Sequence, residues 1–255
     1  MTDEISPDVP PVFIDRSFAR LHATASRREF LRVVGLGATI ALLPGFAAAC
    51  GSDSATGPSN DVAGSGEPLL IDFESGDAAI LQLASVMERI EADFYARVVA
   101  AFATSNIPAA EQAVLTEIRD HELAHRAFLD GTLGGDAART ATPTFRGVNF
   151  ADRTAVLTAA GTIEDLGIAT YNGAAQYLTG TDALLGVAKI VSVEGRHAAV
   201  IRDLQEAKSA KFSPTSSSDV WRPAKSAATI QTYLVDKLGF ANLPTTFIER
   251  PNGKG

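Results

Sequence analysis

The chain has 255 residues, of which 46% are hydrophobic and 20% charged; this excludes a disordered polypeptide and leaves room for one domain of ~150–200 residues with appendages. The formal charge of −8 falls wholly beyond residue 50, because five acidic and five basic residues cancel before it; an acidic body excludes a basic nucleic-acid footprint and suits metal cations. The one cysteine, Cys50, excludes an intrachain disulfide.

The N-terminus reads as an address. Ser26-Arg27-Arg28-Glu29-Phe30-Leu31 precedes an apolar run from Val33 to Phe46, too short and too rich in Gly and Ala for a membrane span. Small residues, Ala47-Ala48-Ala49, lead into Cys50. The segment resembles a twin-arginine export signal over Ser26–Leu31, which implies the twin-arginine export machinery as a partner and a periplasmic or cell-envelope destination. Cys50 then has two readings: the lipidated first residue of a lipoprotein, tethered to the membrane, or a bystander at an ordinary cleavage site. The first is preferred, because the single cysteine falls at the expected cut, although Ala47 stands where the usual lipoprotein pattern prefers Leu. Residues 51–74 are expected to be a flexible linker, since 51–67 lack apolar periodicity.

Four long amphipathic helices are expected next. The first spans about Asp77–Phe102, capped by Ser75, with Ile80, Leu83, Met87, Ile90, Phe94 and Val98 at helical spacing. Glu88 lies on the bordering stripe Leu81-Ser85-Glu88-Ala92-Tyr95-Val99. The second starts near Pro108 and stops at Gly134-Gly135, with Val114, Ile118, Glu122, His125 and Leu129 on one stripe. A long link over 134–151 can carry the chain the length of a bundle, as a crossover does. The third helix spans about Asp152–Leu178, with Val156, Ala160, Ile163, Glu164, Leu166, Thr170, Tyr171 and Ala174 inward. The fourth runs from Thr181 or Asp182 to about Glu206, with Leu184, Val187, Ile190, Glu194, His197 and Ile201 along one face. Short links at 103–107 and 179–181 make sequential helices antiparallel neighbours. Pro223 to about Leu238 reads as a short C-terminal helix with Ile230, Leu234 and Leu238 on one side, and Trp221 packs the tail down. This helix has three candidate roles: capping the bundle, covering a site, or joining two subunits as a homodimer.

The two halves repeat. Tyr95 follows Glu88 by seven residues and Tyr171 follows Glu164 by seven; each half then supplies a Glu-x-x-His, Glu122 with His125 and Glu194 with His197. Residues three apart on a helix share a face, so each pair can reach one metal ion. A single Glu-x-x-His is weak evidence, and a lone buried Glu is usually an ion-pair partner. Four inward carboxylates and two imidazoles on one bundle are not explained that way. Their oxygen and nitrogen donors, with no thiolate, suit two metal ions: iron first, then manganese, with zinc not excluded. Open coordination positions would admit dioxygen or peroxide. Glu91 competes with Glu88 for the ligand position, and Glu88 is preferred because its spacing to tyrosine recurs at Glu164. His121, Asp120, Asp165 and Arg196 are expected to be exposed or to lie outside the ligand set.

Over about residues 75–207 the order Glu, Glu-x-x-His, Glu, Glu-x-x-His resembles the ferritin-like di-metal carboxylate superfamily, most closely its exported members. The resemblance implies an all-α, ferritin-like four-helix bundle with a long crossover between helices 2 and 3. It implies Glu88, Glu122, His125, Glu164, Glu194 and His197 as metal-ligating and catalytic residues. Glu122 and Glu194 would bridge the ions, with Tyr95 and Tyr171 just outside them. The implied activity is oxidation of ferrous iron or consumption of peroxide; the alternatives are dimanganese peroxide disproportionation and a non-enzymatic, structural or stress-protective metal site.

Overall fold

The computed structural model describes residues 69–137 and 141–244. The export signal, Cys50 and most of the linker lie outside the described residues. Five α-helices are described: α1 (Asp77–Ala100), α2 (Ala109–Leu133), α3 (Arg153–Ala174), α4 (Thr181–Gln205) and α5 (Pro223–Ile230). Two short strands, β1 (Leu69–Asp72) and β2 (Leu238–Ala241), pair in parallel, Leu69 opposite Leu238 and Asp72 opposite Ala241. None of the described helices is long and apolar enough to cross a membrane.

Helices α1–α4 form the expected bundle. The α1–α2 and α3–α4 hairpins pack side by side, with α1 against α3 and α2 against α4. The expected inward stripes are buried, apart from Leu184, which is exposed, and Val114 and His125, which are partly buried.

Two polar ties fix the direction of the helices. Asp77, at the start of α1, accepts from the backbone N–H groups of Thr179 and Gly180 at 2.8 and 2.7 Å, which joins that end to the α3–α4 turn. At the other end, Asn106 in the α1–α2 turn donates its backbone N–H to the Ala151 carbonyl and accepts from Arg153 N. The link between Gly134 and Asp152 must therefore run the length of the bundle, as the long crossover requires. Gly134, at φ +58°, stops α2 where expected, and Asp152 caps α3 by accepting from Ala155 N at 2.7 Å.

Four local expectations are corrected. Ser75 does not cap α1: its hydroxyl donates to the Asp72 carbonyl within a 3₁₀ turn over Phe73–Ser75, and Gly76, at φ +63°, leads into the helix. The first and third helices are shorter, each ending in a separate 3₁₀ turn, Phe102–Thr104 and Ala175–Tyr177. The C-terminal helix stops at Ile230. Gln231 then clasps the chain, accepting from Leu238 N and donating to the Asp236 carbonyl, while Val235 N donates to the Thr142 carbonyl. Ile230 and Leu234 are still buried, but Leu234 is reached through a 3₁₀ turn over Gln231–Tyr233 and is itself extended, bridging Pro143 on the crossover. Finally, Leu69–Asp72 is not linker but a strand paired with the tail.

Trp221 does hold the tail down, through its backbone as well as its ring. Its N–H donates to the Ala169 carbonyl at 3.0 Å, and its carbonyl lies where a Cβ on Gly173 would be, 1.5 Å away. Only glycine allows that approach.

Candidate metal centre

Each helix of the bundle delivers one part of the site. Glu88 comes from α1, Glu122 and His125 from α2, Glu164 from α3, Glu194 and His197 from α4. All four glutamates are fully buried and His197 nearly so. Among the described residues two groups have ligand atoms within 4.8 Å of one another: Glu88, Glu122, His125 and Glu194, and Glu122, Glu164, Glu194 and His197. Glu122 and Glu194 belong to both. All six sequence-derived residues are thus brought together, and the two shared carboxylates are the two expected to bridge.

The donors converge on common interior positions, and each histidine also hydrogen-bonds the glutamate of its own Glu-x-x-His. His125 Nδ1 lies 2.8 Å from Glu194 Oε1, 3.3 Å from Glu122 Oε2 and 3.4 Å from Glu88 Oε2. His197 Nδ1 lies 2.7 Å from Glu122 Oε1, 3.3 Å from Glu194 Oε2 and 3.8 Å from Glu164 Oε2. Yet one oxygen on every carboxylate has no aligned hydrogen-bond partner: Glu88 Oε2, Glu122 Oε1, Glu164 Oε2 and Glu194 Oε1. Close approach without alignment, at four buried acceptors, is costly unless a cation completes the site. The donor set therefore fits a pair of metal ions.

Tyr95 and Tyr171 are buried and orient the two outer glutamates. Tyr95 Oη donates to Glu164 Oε1 at 2.5 Å, and Tyr171 Oη donates to Glu88 Oε1. Each tyrosine serves the glutamate of the opposite half. Burial, followed by the facing carboxylates, holds both phenols well above their ordinary range, so they remain donors.

Without metal, the site stores protons. Burial, then the Glu194 and Glu122 charges, raise Glu164 well above the ordinary carboxylate range; burial likewise raises Glu88 against the pull of His125. Burial also opposes the imidazolium forms, but the surrounding carboxylates outweigh it. They push His125 up to about 12 and His197 up to about 10. Glu194, though buried, is pulled down to about 2 by the two histidines.

Glu91 is excluded from both ligand groups, as the sequence preferred. It is nevertheless fully buried with neither oxygen hydrogen-bonded, and burial, then Glu194 and Glu88, raise it well above its ordinary value. Its carboxyl occupies a notch over Gly167: a Cβ there would lie 2.4 Å from Glu91 Oε1. The offset that carries Glu88 to Glu164 carries Glu91 to Gly167, so one half's acid fills the space of the other half's missing side chain.

The remaining expectations divide. Asp120 is bound by Arg119 at 2.6 Å, and Asp165 by Arg202. Arg196 points along its own helix, donating to the Ser192 carbonyl at 2.9 Å. His121 does more than line the surface. Its Nδ1 is 2.9 Å from His197 Nε2, with the two rings stacked 11° from parallel. The sequence signal was available, since His121 precedes Glu122 directly, but the contact spans two helices.

A four-helix bundle carrying two Glu/Glu-x-x-His halves around one interior has the fold of the ferritin-like class and a donor set that fits a di-metal site. Comparison with family models agrees: the ferritin-like domain model matches residues 76–207, and the chain belongs to that family. No curated protein matches the chain.

Proposed function

We propose that the protein is a di-iron oxidoreductase that oxidises ferrous iron or consumes peroxide at ions held by Glu88, Glu122, His125, Glu164, Glu194 and His197. The observation that carries this reading is the set of four buried carboxylate oxygens without an aligned hydrogen bond, one per glutamate, gathered with two imidazoles in a buried interior. Bound there, an iron pair supplies two one-electron redox centres with positions open to dioxygen or peroxide. The chain's own part is to hold and orient. Glu122 and Glu194, common to both donor groups, would hold both ions and His125 and His197 one each, while Tyr171 and Tyr95 fix Glu88 and Glu164 so that a single oxygen of each is left for the site. Burial excludes bulk water from the reacting positions.

Oxygen consumption with added ferrous iron, set against gas release from peroxide, tests the activity. Ferrous-dependent oxygen uptake that disappears in Glu194→Ala supports it. Gas release without ferrous oxidation would assign manganese instead, and inertness toward both would leave a structural metal site.

The export signal belongs to the same reading. Ser26–Leu31, the apolar run and Ala47–Ala49 support twin-arginine export with Cys50 as the lipid-bearing first residue, placing the bundle in the periplasm or cell envelope. The intact mass of protein from a twin-arginine-competent host checks this: the reading requires a chain beginning at Cys50 and carrying acyl groups.

A further inference from the structure

The glutamates of the site are sealed from solvent, so an ion must pass a side chain to reach them. Around His197 that side chain is His121. Its ring spans from surface to ligand: Nδ1 meets His197 Nε2 at 2.9 Å, while Nε2 lies 3.4 Å from Glu117 Oε1 one turn back on α2. The His121 side chain is 45% exposed and that of Glu117 73%. An imidazole and a carboxylate at helical spacing form a two-ligand foothold for a divalent cation. The neighbouring Asp120 does not compete, since Arg119 holds it.

The opposite half lacks this foothold. The offset that carries Glu122 to Glu194 and His125 to His197 carries His121 to Val193 and Glu117 to Lys189. An apolar side chain and a cation cannot capture a metal ion.

We propose that His121 and Glu117 form the port through which divalent metal ions enter and leave the buried pair, on the His197 side alone. Glu117 attracts the ion, His121 ligates it, and a swing of the His121 ring, free on its exposed side, passes it to His197 and Glu122. The proposal rests on the di-metal reading above and deepens it.

Cobalt(II) uptake by the metal-stripped full chain, followed by visible absorption, tests the port without any assay of activity. A port acts in both directions, so its loss slows loading and chelator-driven release together and leaves affinity unchanged. The expected result for His121→Ala, and for His121→Gln as the milder variant, is a fall of about tenfold or more in both rates, with saturation still at the wild-type content. Glu117→Gln should slow loading by a smaller factor, roughly threefold, and added salt should erase that difference. Val193→Ala should change neither rate. Loading as fast as wild type or faster in both His121 variants overturns the port. So does faster release with weaker affinity, which would make His121 a mere support for His197. Wild-type protein that takes up no cobalt(II) contradicts the di-metal reading itself.

Discussion

Tyr171, on α3, donates its phenol proton to Glu88 on α1, and Tyr95 returns the favour in mirror fashion by donating to Glu164. The two halves of the repeat are therefore interlocked rather than merely adjacent: each half's outer glutamate is aimed by the other half's tyrosine. The oxygen left free on each, Glu88 Oε2 and Glu164 Oε2, is the one turned to the site.

Removing either phenol oxygen should weaken both fold and site. Tyr95→Phe and Tyr171→Phe each strand a buried carboxyl oxygen, at a cost of about 1–3 kcal/mol in unfolding free energy. Metal affinity should fall by roughly tenfold or more, because the outer glutamate loses its orientation. Urea titration and metal-binding calorimetry read the two effects separately; a Phe variant matching wild type in both contradicts the positioning role.

Glu91 and Gly167 should behave as a coupled pair. Gly167→Ala places a Cβ 2.4 Å from Glu91 Oε1 and forces the buried acid aside, costing about 1–3 kcal/mol despite alanine's better helix propensity. In a Glu91→Ala background the same substitution should cost much less. A double-mutant cycle measures the coupling, and strict additivity would contradict the notch.

Two other helical glycines make opposite predictions from one physical rule. Gly195 on α4 is exposed and open, so Gly195→Ala should stabilise by roughly 0.5–1 kcal/mol. Gly173 on α3 supports the Trp221 carbonyl, so Gly173→Ala should lift the tail and destabilise. Thermal melts give the signs, and limited proteolysis should cut the Gly173 variant first within the loop before Trp221.

The stabilisation gained on adding metal should grow with pH. Glu88, Glu91 and Glu164 are raised from 4.5, and His125 and His197 from 6.5, in the metal-free fold. All five bind more protons folded than unfolded. Their contribution is present below the ordinary values and is lost as pH rises through the raised ones. Glu194, pulled down to about 2, works oppositely: its contribution is present above 4.5 and is lost as pH falls through about 2. The metal-free Tm should therefore peak near about pH 5 and decline toward about pH 9. Metal displaces the stored protons, so the gain in Tm on adding cobalt(II) should grow over that interval. A metal-free Tm that climbs from pH 5 to 9 contradicts the proton-filled site.

The bundle and its six candidate ligands were legible because both obey helical spacing: apolar stripes set the inner faces, and Glu-x-x-His puts two donors on one of them. The repeat of Glu88–Tyr95 in Glu164–Tyr171 also favoured Glu88 over Glu91, and Glu88 is the one that lies in a donor group. Contacts made between helices were not legible. Nothing in the spacing says that Tyr95 serves Glu164 rather than its own half, that Gly167 exists to seat Glu91, or that His121 stacks on His197. The tail misled for a related reason. Ile230, Leu234 and Leu238 have helical spacing, yet Gln231 and Thr142 offer the backbone other partners, and a strand ending at Ala241 pairs with one beginning at Leu69, far away in sequence.

The central claim is that Glu194 is shared by two ions. The direct measurement is the metal content of the full chain after loading and desalting, for wild type and Glu194→Ala, each checked for helix content by circular dichroism. The account predicts two ions per wild-type chain and less than one in a still-helical Glu194→Ala. Equal content in the two proteins would contradict it.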